Sequence, residues 1–389
     1  MERLYAIFRQ LVRHIDLAFV RYKYADIHWD NRMLGLVGPR GVGKTTLLLQ
    51  HARQALPTDG TLYASVDNLY FSDHTLVDLA DALSKQGGRY LLLDEIHKYE
   101  NWSRELKQIY DSYPDLHIYF TGSSVLDIYC GMADLSRRAP IYEMQGLSFR
   151  EYLQLFHGIT APTLTLDDIL HHRTDIPGTD HPLPLFNDYL NRGYYPFGRE
   201  EDFSIKLEQV VTQTMETDIP LYVGMNVATG RKLKQLLMIV AESVPFKPSM
   251  ARLAEATNIS RNNVPDYLLY MERAGMIGQL RTATGGIRGL GKVEKIYLDN
   301  PNLIAILGRN GGNRGNVRET FFYNQTRVRY NVTSSPVADF LINGHTFEVG
   351  GRGKSQRQLQ GNPKGYIVKD DIETGYANVL PLWAFGLTY

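Results

Sequence analysis

The sequence predicts an α/β protein that begins with a parallel sheet and its crossover helices. Three observations support this. Five short apolar runs alternate with helix-like segments between residues 32 and 155, a glycine-rich loop follows the first run, and the acidic pair Asp94 and Glu95 ends another. Alternating strand and helix signals are typical of parallel sheets. A ligand of such a sheet is expected at the carboxyl ends of its strands.

The predicted strands are continuous apolar runs, which is typical of strands buried on both faces. Before them, residues 1–31 carry apolar side chains at spacings of three and four, so we expect an amphipathic N-terminal helix packed on the core. The strands are predicted at Met33–Val37, Thr61–Val66, Tyr90–Asp94, Ile118–Thr121 and Ile141–Met144.

The glycine-rich loop matches the pattern G-x-x-x-x-G-K-[ST] at every fixed position, from Gly38 to Thr45. In such a loop, backbone N–H groups surround phosphates at a helix N-terminus, the lysine contacts the β- and γ-phosphates, and the hydroxyl binds Mg²⁺. The flanking strand and helix supply the context that this chemistry requires. We therefore expect a P-loop NTPase fold that binds ATP and Mg²⁺. The expected ATP-binding residues are Gly38, Pro39, Arg40, Gly41, Val42, Gly43, Lys44, Thr45 and Thr46.

The acidic pair at the end of the third predicted strand is the second motif. Asp94 is placed to hold Mg²⁺ together with Thr45, directly or through water. Glu95 is placed to polarise a water molecule for attack on the γ-phosphate. An ordinary solvated acidic pair is the alternative, and the preceding phosphate loop makes that alternative weaker.

Two further catalytic roles are predicted near the fourth strand. A polar side chain at its end, Thr121 or Ser123, is a candidate sensor of the γ-phosphate. Arg138 is a candidate arginine finger that stabilises transition-state charge from the same chain or from a neighbouring subunit. A polar turn and a solvated loop arginine are the plainer alternatives, and both stay open.

The order of these motifs resembles bacterial and archaeal AAA+ ATPases that carry a C-terminal domain of unknown function. The resemblance is carried by the loop and by LLLDEIHKYENW, IYFTGSS, SRRAPIYEMQGLSFREYL and YLNRGYYPF. Those proteins commonly have a glycine before the arginine that corresponds to Arg138, where this chain has Arg137.

The resemblance implies an AAA+ core followed by a helical segment, a winged helix and a small α+β domain like a degenerate restriction endonuclease. The expected domains are an N-terminal helix at 1–31, the core at 32–155, a linker and helical segment at 156–240, the winged helix at 241–300 and the endonuclease-like domain at 301–389.

The composition of the chain bears on the cellular compartment in which this protein is expected. The single cysteine, Cys130, excludes an internal disulfide and fits a reducing compartment. The N-terminus lacks the apolar core of a signal peptide, and no uninterrupted apolar stretch approaches 18 residues. We therefore expect a cytoplasmic protein with no membrane partner.

The formal net charge of zero conceals an asymmetry between the two parts of the chain. Residues 1–229 contain 21 basic and 30 acidic side chains, whereas residues 230–389 contain 21 and 12. A basic C-terminal part suits DNA or another phosphate-rich partner. Docking on the acidic part of the same chain, or of a second copy in a homo-oligomer, is the open alternative.

The most distinct accessory module is predicted at residues 241–300. Two helices, Ser249–Thr257 and Arg261–Ala274, precede two strands, Gly278–Ala283 and Val293–Leu298. A helix-turn-helix followed by a β-hairpin is a winged helix. Its second helix is a candidate for DNA contact, and packing as a lid is the alternative. The candidate contact residues are Ser260, Arg261, Asn262, Asn263, Arg288 and Lys292.

The C-terminal segment matches a restriction-type nuclease in part. Asp339 and Glu348 correspond to its strand carboxylates and Glu319 to a helix acid, but Gly350 stands where the catalytic lysine is required. Glycine cannot activate the attacking water. Lys354 or Gln356 could substitute from nearby, but we expect the fold without cleavage.

Taken together, these patterns predict an ATP-hydrolysing, Mg²⁺-dependent AAA+ switch. Its basic C-terminal part would couple the nucleotide state to DNA or to a protein partner. Two alternatives stay open, a DNA-binding regulator with ATP as a conformational effector and an ATP-gated nuclease.

Overall fold

The five predicted N-terminal strands form one parallel sheet in the order β2-β3-β4-β1-β5. We describe the fold from a computed structural model that covers residues 1–122, 135, 137–243, 247, 249–283, 291–308, 313–351, 353–354, 359 and 361–389. The chain divides into two compact units, Met1–Gln145 and Gly146–Tyr389.

The N-terminal unit alternates helices and strands as the sequence predicts. Its helices are α1 (Glu2–His14), α2 (Lys23–Asp26), α3 (Lys44–Ala55), α4 (Leu76–Lys85) and α5 (Trp102–Ser112). Its strands are β1 (Met33–Val37), β2 (Thr61–Ser65), β3 (Tyr90–Asp94), β4 (His117–Gly122) and β5 (Ile141–Glu143). The helix predicted over residues 1–31 is shorter than expected, because the chain becomes extended at Ile15.

The parallel register brings the carboxyl ends of the central strands to one edge of the sheet. Val37 of β1 pairs with Gly122 of β4, and Ser65 of β2 pairs with Asp94 of β3. The interiors of β1 to β4 are buried, and side chains from one face of these strands share an apolar core with Leu4 of α1. The P-loop and the acidic pair therefore meet at the edge where a ligand was expected.

The C-terminal unit begins with helices. They are α6 (Phe149–His157), α7 (Leu166–Leu170), α8 (Pro182–Arg192), α9 (Phe203–Gln213), α10 (Ile219–Val223), α11 (Val227–Ser243), α12 (Met250–Thr257) and α13 (Val264–Arg273). One π-helical turn at Thr214–Asp218 joins α9 to α10. A capping box between Ser148 and Glu151 starts α6, because each side chain satisfies a backbone N–H at the helix N-terminus.

An antiparallel hairpin, β6 (Ile277–Arg281) and β7 (Val293–Leu298), follows α13. The helices and strands predicted for the accessory module therefore form in the expected order, and their identification as a winged helix stays a prediction. Two more helices, α14 (Pro301–Leu307) and α15 (Arg314–Thr326), lead to the second large sheet.

The second sheet is mixed and has the order β12-β11-β10-β9-β8. Its strands are β8 (Val332–Ser334), β9 (Phe340–Ile342), β10 (His345–Gly350), β11 (Gly365–Lys369) and β12 (Val379–Pro381). Asn343 and Gly344 form the turn between β9 and β10, which pair antiparallel. Aromatic side chains of α15, β9 and β10 fill its core, including Phe322, Phe340 and Phe347.

Candidate active site

The P-loop joins β1 to α3 through a backbone that requires glycine at two positions. Gly43 caps α3 with a φ of 97°, a conformation that residues with a Cβ rarely adopt. A Cβ added to Gly38 would lie 2.1 Å from the carbonyl oxygen of Met144, so a side chain cannot fit there. The loop therefore ends at a helix N-terminus whose N–H groups are available to an anion.

Lys44, the first residue of α3, is folded back over this loop. It is 5% exposed, and its Nζ donates hydrogen bonds to the carbonyl oxygens of Gly38 and Pro39, at 2.9 and 2.8 Å. Both acceptors are neutral. A phosphate oxygen is a stronger acceptor for an ammonium group, so Lys44 is positioned to bind one.

Asp94 ends β3 and accepts hydrogen bonds from three hydroxyl groups. Thr45 Oγ1 lies 2.9 and 3.1 Å from its two carboxylate oxygens, Tyr63 OH lies 2.7 Å from Oδ2, and the Thr121 hydroxyl donates to Oδ1. Burial and the nearby Asp94 charge raise the pKa of Tyr63 far above its usual range, so its phenol stays a donor. Mg²⁺ prefers oxygen ligands, and Thr45 and Asp94 offer a hydroxyl and a carboxylate oxygen, so the pair fits such an ion.

Glu95 follows in a left-handed conformation, with a φ of 56°. Its backbone N–H donates to Thr121 Oγ1 at 3.2 Å, and this bond supports the unusual backbone. Its carboxylate oxygen Oε2 lies 3.2 Å from Lys98 Nζ, 3.6 Å from His97 Nε2 and 3.9 Å from Arg40 Nη2. The side chain is thus held by basic groups from two sides.

Electrostatics keep the Glu95 carboxylate ionised. Burial raises its pKa, but His97, Arg40, Lys98 and Lys44 together lower it more, so the pKa lies below its usual value. Burial also lowers the pKa of His97 to about 4, so this imidazole is neutral at pH 7, and the cations that act on Glu95 at that pH are Arg40, Lys98 and Lys44.

The other predicted catalytic residues have different surroundings. Thr121 lies in the site, with its hydroxyl between Asp94 and Glu95, whereas Ser123 lies outside the described residues. The guanidinium of Arg138 forms two hydrogen bonds with Asp111 of α5, at 2.9 and 3.0 Å. The sensor role of Thr121 and the finger role of Arg138 stay predictions.

The sequence patterns missed three residues around the site. Tyr63 and Lys98 contact the acidic pair, as described above. Arg21 is 5% exposed and donates to the carbonyl oxygens of Val42 in the P-loop and of Gln145, at 2.6 and 2.7 Å. Tyr63 and Arg21 lie outside the predicted motifs and reach the site through the strand order and the chain path, whereas Lys98 lies within the quoted segment LLLDEIHKYENW, three residues after Glu95, and no role was predicted for it.

In the C-terminal unit, each of the three predicted carboxylates pairs with a lysine. They are Glu319, Asp339 and Glu348. Lys295 of β7 donates to Asp339 Oδ1 at 2.8 Å and to Glu319 Oε2 at 3.0 Å. Tyr297 OH donates to the same Glu319 oxygen at 2.9 Å. The second carboxylate oxygen of Asp339 accepts the backbone N–H of Val349 at 3.0 Å.

The third carboxylate of this cluster has its own lysine. Lys354 forms an ion pair with Glu348, which is 4% exposed. A Cβ at Gly350 would lie only 2.7 Å from Cγ of Lys354, so the stem of Lys354 fills the space where a motif lysine would begin. Within the described ranges, no group of three or more His, Cys, Asp or Glu side chains is arranged to hold a metal ion.

Four of the six candidate DNA-contact residues are exposed at the turn between α12 and α13: Ser260, Arg261, Asn262 and Asn263. Lys292 directly precedes β7, and Arg288 lies outside the described residues. Glu272 of α13 pairs with Arg281 of β6 at 2.6 Å, so part of this module's charge is neutralised internally. DNA binding therefore stays a prediction.

Two family models match separate parts of the chain. Residues 30–153 match the family model described as an AAA domain. Residues 183–312 match a model described as a domain of unknown function (DUF8612). No curated protein is significantly similar to the chain.

Several solved structures are similar to parts of the chain at low identity. The Walker-type ATPase PABY2304 of Pyrococcus abyssi is 13% identical, with 74% of this chain and 95% of that chain covered and a TM-score of 0.45. PCH-2 of C. elegans is 15% identical, with 69% and 68% covered and a TM-score of 0.26. A structure of katanin, titled for its self-assembly, is 15% identical, with 44% and 62% covered and a TM-score of 0.25.

The sheet order and the P-loop define the N-terminal unit as a P-loop NTPase fold. Together with the AAA-domain match, they support a nucleotide-binding ATPase of the AAA class. The winged helix and the endonuclease-like domain stay predictions, because the model matched by residues 183–312 has no known function. In the part of the chain that the structure describes, no helix has the length and apolar character needed to span a membrane.

Proposed function

We propose that the N-terminal unit binds ATP together with Mg²⁺ and hydrolyses it to ADP and phosphate. One observation carries the proposal. The Thr45 hydroxyl on the first turn of α3 and the Asp94 carboxylate at the end of β3 are 2.9 Å apart, beside the buried Lys44 and the ionised Glu95. These groups are the ones that phosphoryl transfer to water requires.

The binding roles follow from the contacts described above. The N–H groups of the P-loop, Gly38 to Thr46, and the ammonium of Lys44 would bind the phosphates. Thr45 and Asp94 would hold Mg²⁺, which when bound neutralises part of the phosphate charge. Tyr63 and Thr121 would keep the Asp94 carboxylate oriented through their hydroxyl groups.

The hydrolytic role belongs to Glu95. Its carboxylate would accept a hydrogen bond from a water molecule and orient that water for in-line attack. The water oxygen bonds to the γ-phosphorus as the bond to the bridging β–γ oxygen breaks. A proton of the water leaves through the carboxylate, and ADP carries away the bridging oxygen.

Binding and hydrolysis are best tested with Lys44→Ala. Calorimetry of wild-type protein should detect ATP binding that strengthens with Mg²⁺, and phosphate release should follow. In Lys44→Ala we expect affinity to fall by about 100-fold or more, because the buried ammonium is lost. Lys107→Ala, which removes an exposed lysine of α5, is the matched control. Equal affinity in the wild type and Lys44→Ala would contradict the proposal.

We also propose that the nucleotide state controls binding of a partner by the basic C-terminal part, with DNA as the first candidate. The charge excess of residues 230–389 and the exposed polar turn before α13 support this. Duplex binding should weaken steeply as salt rises and should differ between ATP and ADP. No duplex binding at low salt in either state would leave a protein partner or a second copy of the chain as the remaining candidates.

A nuclease activity is not proposed. Asp339, Glu319 and Glu348 are all engaged by ammonium groups of Lys295 and Lys354. The ammonium group of Lys295 neutralises Asp339 and Glu319 together, and within the described residues no group of three or more His, Cys, Asp or Glu side chains is arranged to hold a metal ion.

A further inference from the structure

Lys98 lies between two carboxylates at the edge of the candidate active site. Its Nζ is 3.2 Å from Glu95 Oε2 and 2.9 Å from Asp67 Oδ2. The exposed fractions of the three side chains differ, at 19% for Glu95, 33% for Lys98 and 52% for Asp67. One ammonium group is therefore shared between a catalytic candidate and a surface acid.

Both partners of Lys98 are fixed to the sheet. Lys98 ends the 3₁₀ turn Ile96–Lys98, and the backbone N–H of Lys98 donates to the Glu95 carbonyl oxygen at 2.9 Å. Asp67 follows β2, and its Oδ1 accepts a 2.6 Å hydrogen bond from Ser65. Because Ser65 pairs in register with Asp94, the competition for Lys98 takes place between neighbouring strand ends.

We propose that Lys98 restrains the Glu95 carboxylate and that Asp67 weakens this restraint by competing for the same ammonium group. The inference rests on the proposed hydrolysis, because it concerns the residue that would orient the water. An oxygen that accepts from an ammonium group has less capacity to accept from a water molecule. Lys98 is thus a positioning residue that sets the basal rate.

The two partners of Lys98 give opposite expectations. In Lys98→Met, the Glu95 oxygen loses its ammonium partner, so kcat should rise about two- to fivefold, the size expected of a partly exposed ion pair. In Asp67→Asn, the ammonium group is left to Glu95, so kcat should fall by a similar factor. KM for ATP should stay within about twofold in both, because neither side chain contacts the P-loop.

The controls separate this restraint from a general loss of structure. Lys98→Arg keeps the charge and should retain the wild-type kcat. Lys85→Met removes an exposed lysine from an ion pair with Asp81 on α4, and should change neither constant. The double variant Lys98→Met/Asp67→Asn should behave like Lys98→Met, because Asp67 acts only through Lys98.

The experiment is steady-state ATP hydrolysis by these variants of the full chain, with ATP affinity measured separately. A rise in Lys98→Met together with a fall in Asp67→Asn supports the restraint. A fall in Lys98→Met, or changes of the same sign in both, overturns it. Glu95→Gln distinguishes the two proposals, since wild-type turnover in that variant would remove Glu95 from hydrolysis, whatever Lys98 does.

Discussion

Each unit of this protein contains predicted functional carboxylates beside a sheet, but their hydrogen-bonding partners differ. In the N-terminal unit, Asp94 accepts hydrogen bonds from the hydroxyl groups of Thr45, Tyr63 and Thr121. In the C-terminal unit, Asp339 shares the ammonium group of Lys295 with a glutamate. One carboxylate is oriented by neutral donors, and the other is neutralised by a cation.

We propose that this difference separates a candidate Mg²⁺ site from a structural ion pair. Hydroxyl donors orient a carboxylate while leaving its negative charge for a divalent cation. A lysine supplies the positive charge itself, and the carboxylate then contributes to folding through hydrogen bonds and packing. Motif matching treats the two acidic residues alike, whereas their neighbours assign them different functions.

The largest effect is expected from Glu95→Gln. Glutamine preserves the shape of the side chain but cannot accept a proton, so hydrolysis should fall by about 100-fold or more while ATP binding is retained. Phosphate release and calorimetry measure the two properties separately. Glu100→Gln, an exposed glutamate nearby, is the matched control. Hydrolysis at the wild-type rate in Glu95→Gln would contradict the assignment.

A paired substitution tests the comparison directly. Asp94→Asn should remove most of the Mg²⁺ dependence of ATP binding, about tenfold or more in affinity, because a neutral amide is a weaker ligand for the ion. Asp339→Asn should leave that dependence unchanged. Calorimetric titrations with ATP, in Mg²⁺ and in EDTA, measure both. Equal losses in the two variants would mean that the carboxylates are not distinguished as we describe.

Lys295→Met should destabilise the C-terminal unit. Removing this ammonium group leaves Asp339 and Glu319 beside each other without their cation. We expect the free energy of unfolding to fall by about 2 kcal/mol, a value kept small by the partial exposure of Lys295. Urea unfolding followed by near-ultraviolet circular dichroism measures it. Adding Glu319→Gln should restore part of the loss by removing the repulsion. An unchanged unfolding midpoint in Lys295→Met would show that the pair has no structural role.

The smallest effect is a pH dependence in which His51 and His97 of the N-terminal unit act with the opposite sign to Glu319 and Glu348 of the C-terminal unit. Burial lowers the pKa of His51 to about 4, as it does for His97, so the unfolded chain takes up these protons first, and each histidine should lower the stability of the N-terminal unit by about 1 kcal/mol between pH 7 and pH 5.5.

Burial chiefly, with the Asp339 charge, raises the pKa of Glu319, and the same causes raise that of Glu348. At these two carboxyl groups the folded unit binds protons more readily than the unfolded chain, so acid should stabilise it through them until pH falls below the unfolded pKa, while His157 and His345, whose pKa values burial lowers, act in the opposite direction. Hydrogen exchange at pH 7 and 5.5, resolved by peptide, compares the segments around these groups. An equal fall of protection around His51 and around Glu319 and Glu348 would contradict this assignment.

The sequence predicted the elements whose signals are local. The sequence located all five strands of the parallel sheet within one or two residues, and for β1 to β4 the reason is that a strand buried on both faces has no polar alternation to obscure it. The P-loop was equally local, since its glycines, Lys44 and Thr45 are neighbours in the chain.

The remaining site residues depend on tertiary structure. Tyr63 reaches Asp94 only because β2 lies beside β3, and Lys295 reaches Asp339 from 44 residues away. Neither a spacing nor a composition signals such a contact. The N-terminal helix was overestimated for a different reason, since the helical apolar spacing ends at Ile15, close to the observed end at His14, and the prediction extended the helix to residue 31 without that signal.

The buried guanidinium of Arg21 has a practical consequence. It ties the segment after α1 to Val42 inside the P-loop and to Gln145, the last residue of the N-terminal unit. An expression tag or a trimmed start that displaces the first two dozen residues would remove this support from the P-loop backbone. We expect a shortened chain to bind ATP more weakly, although every residue of the predicted motifs is still present.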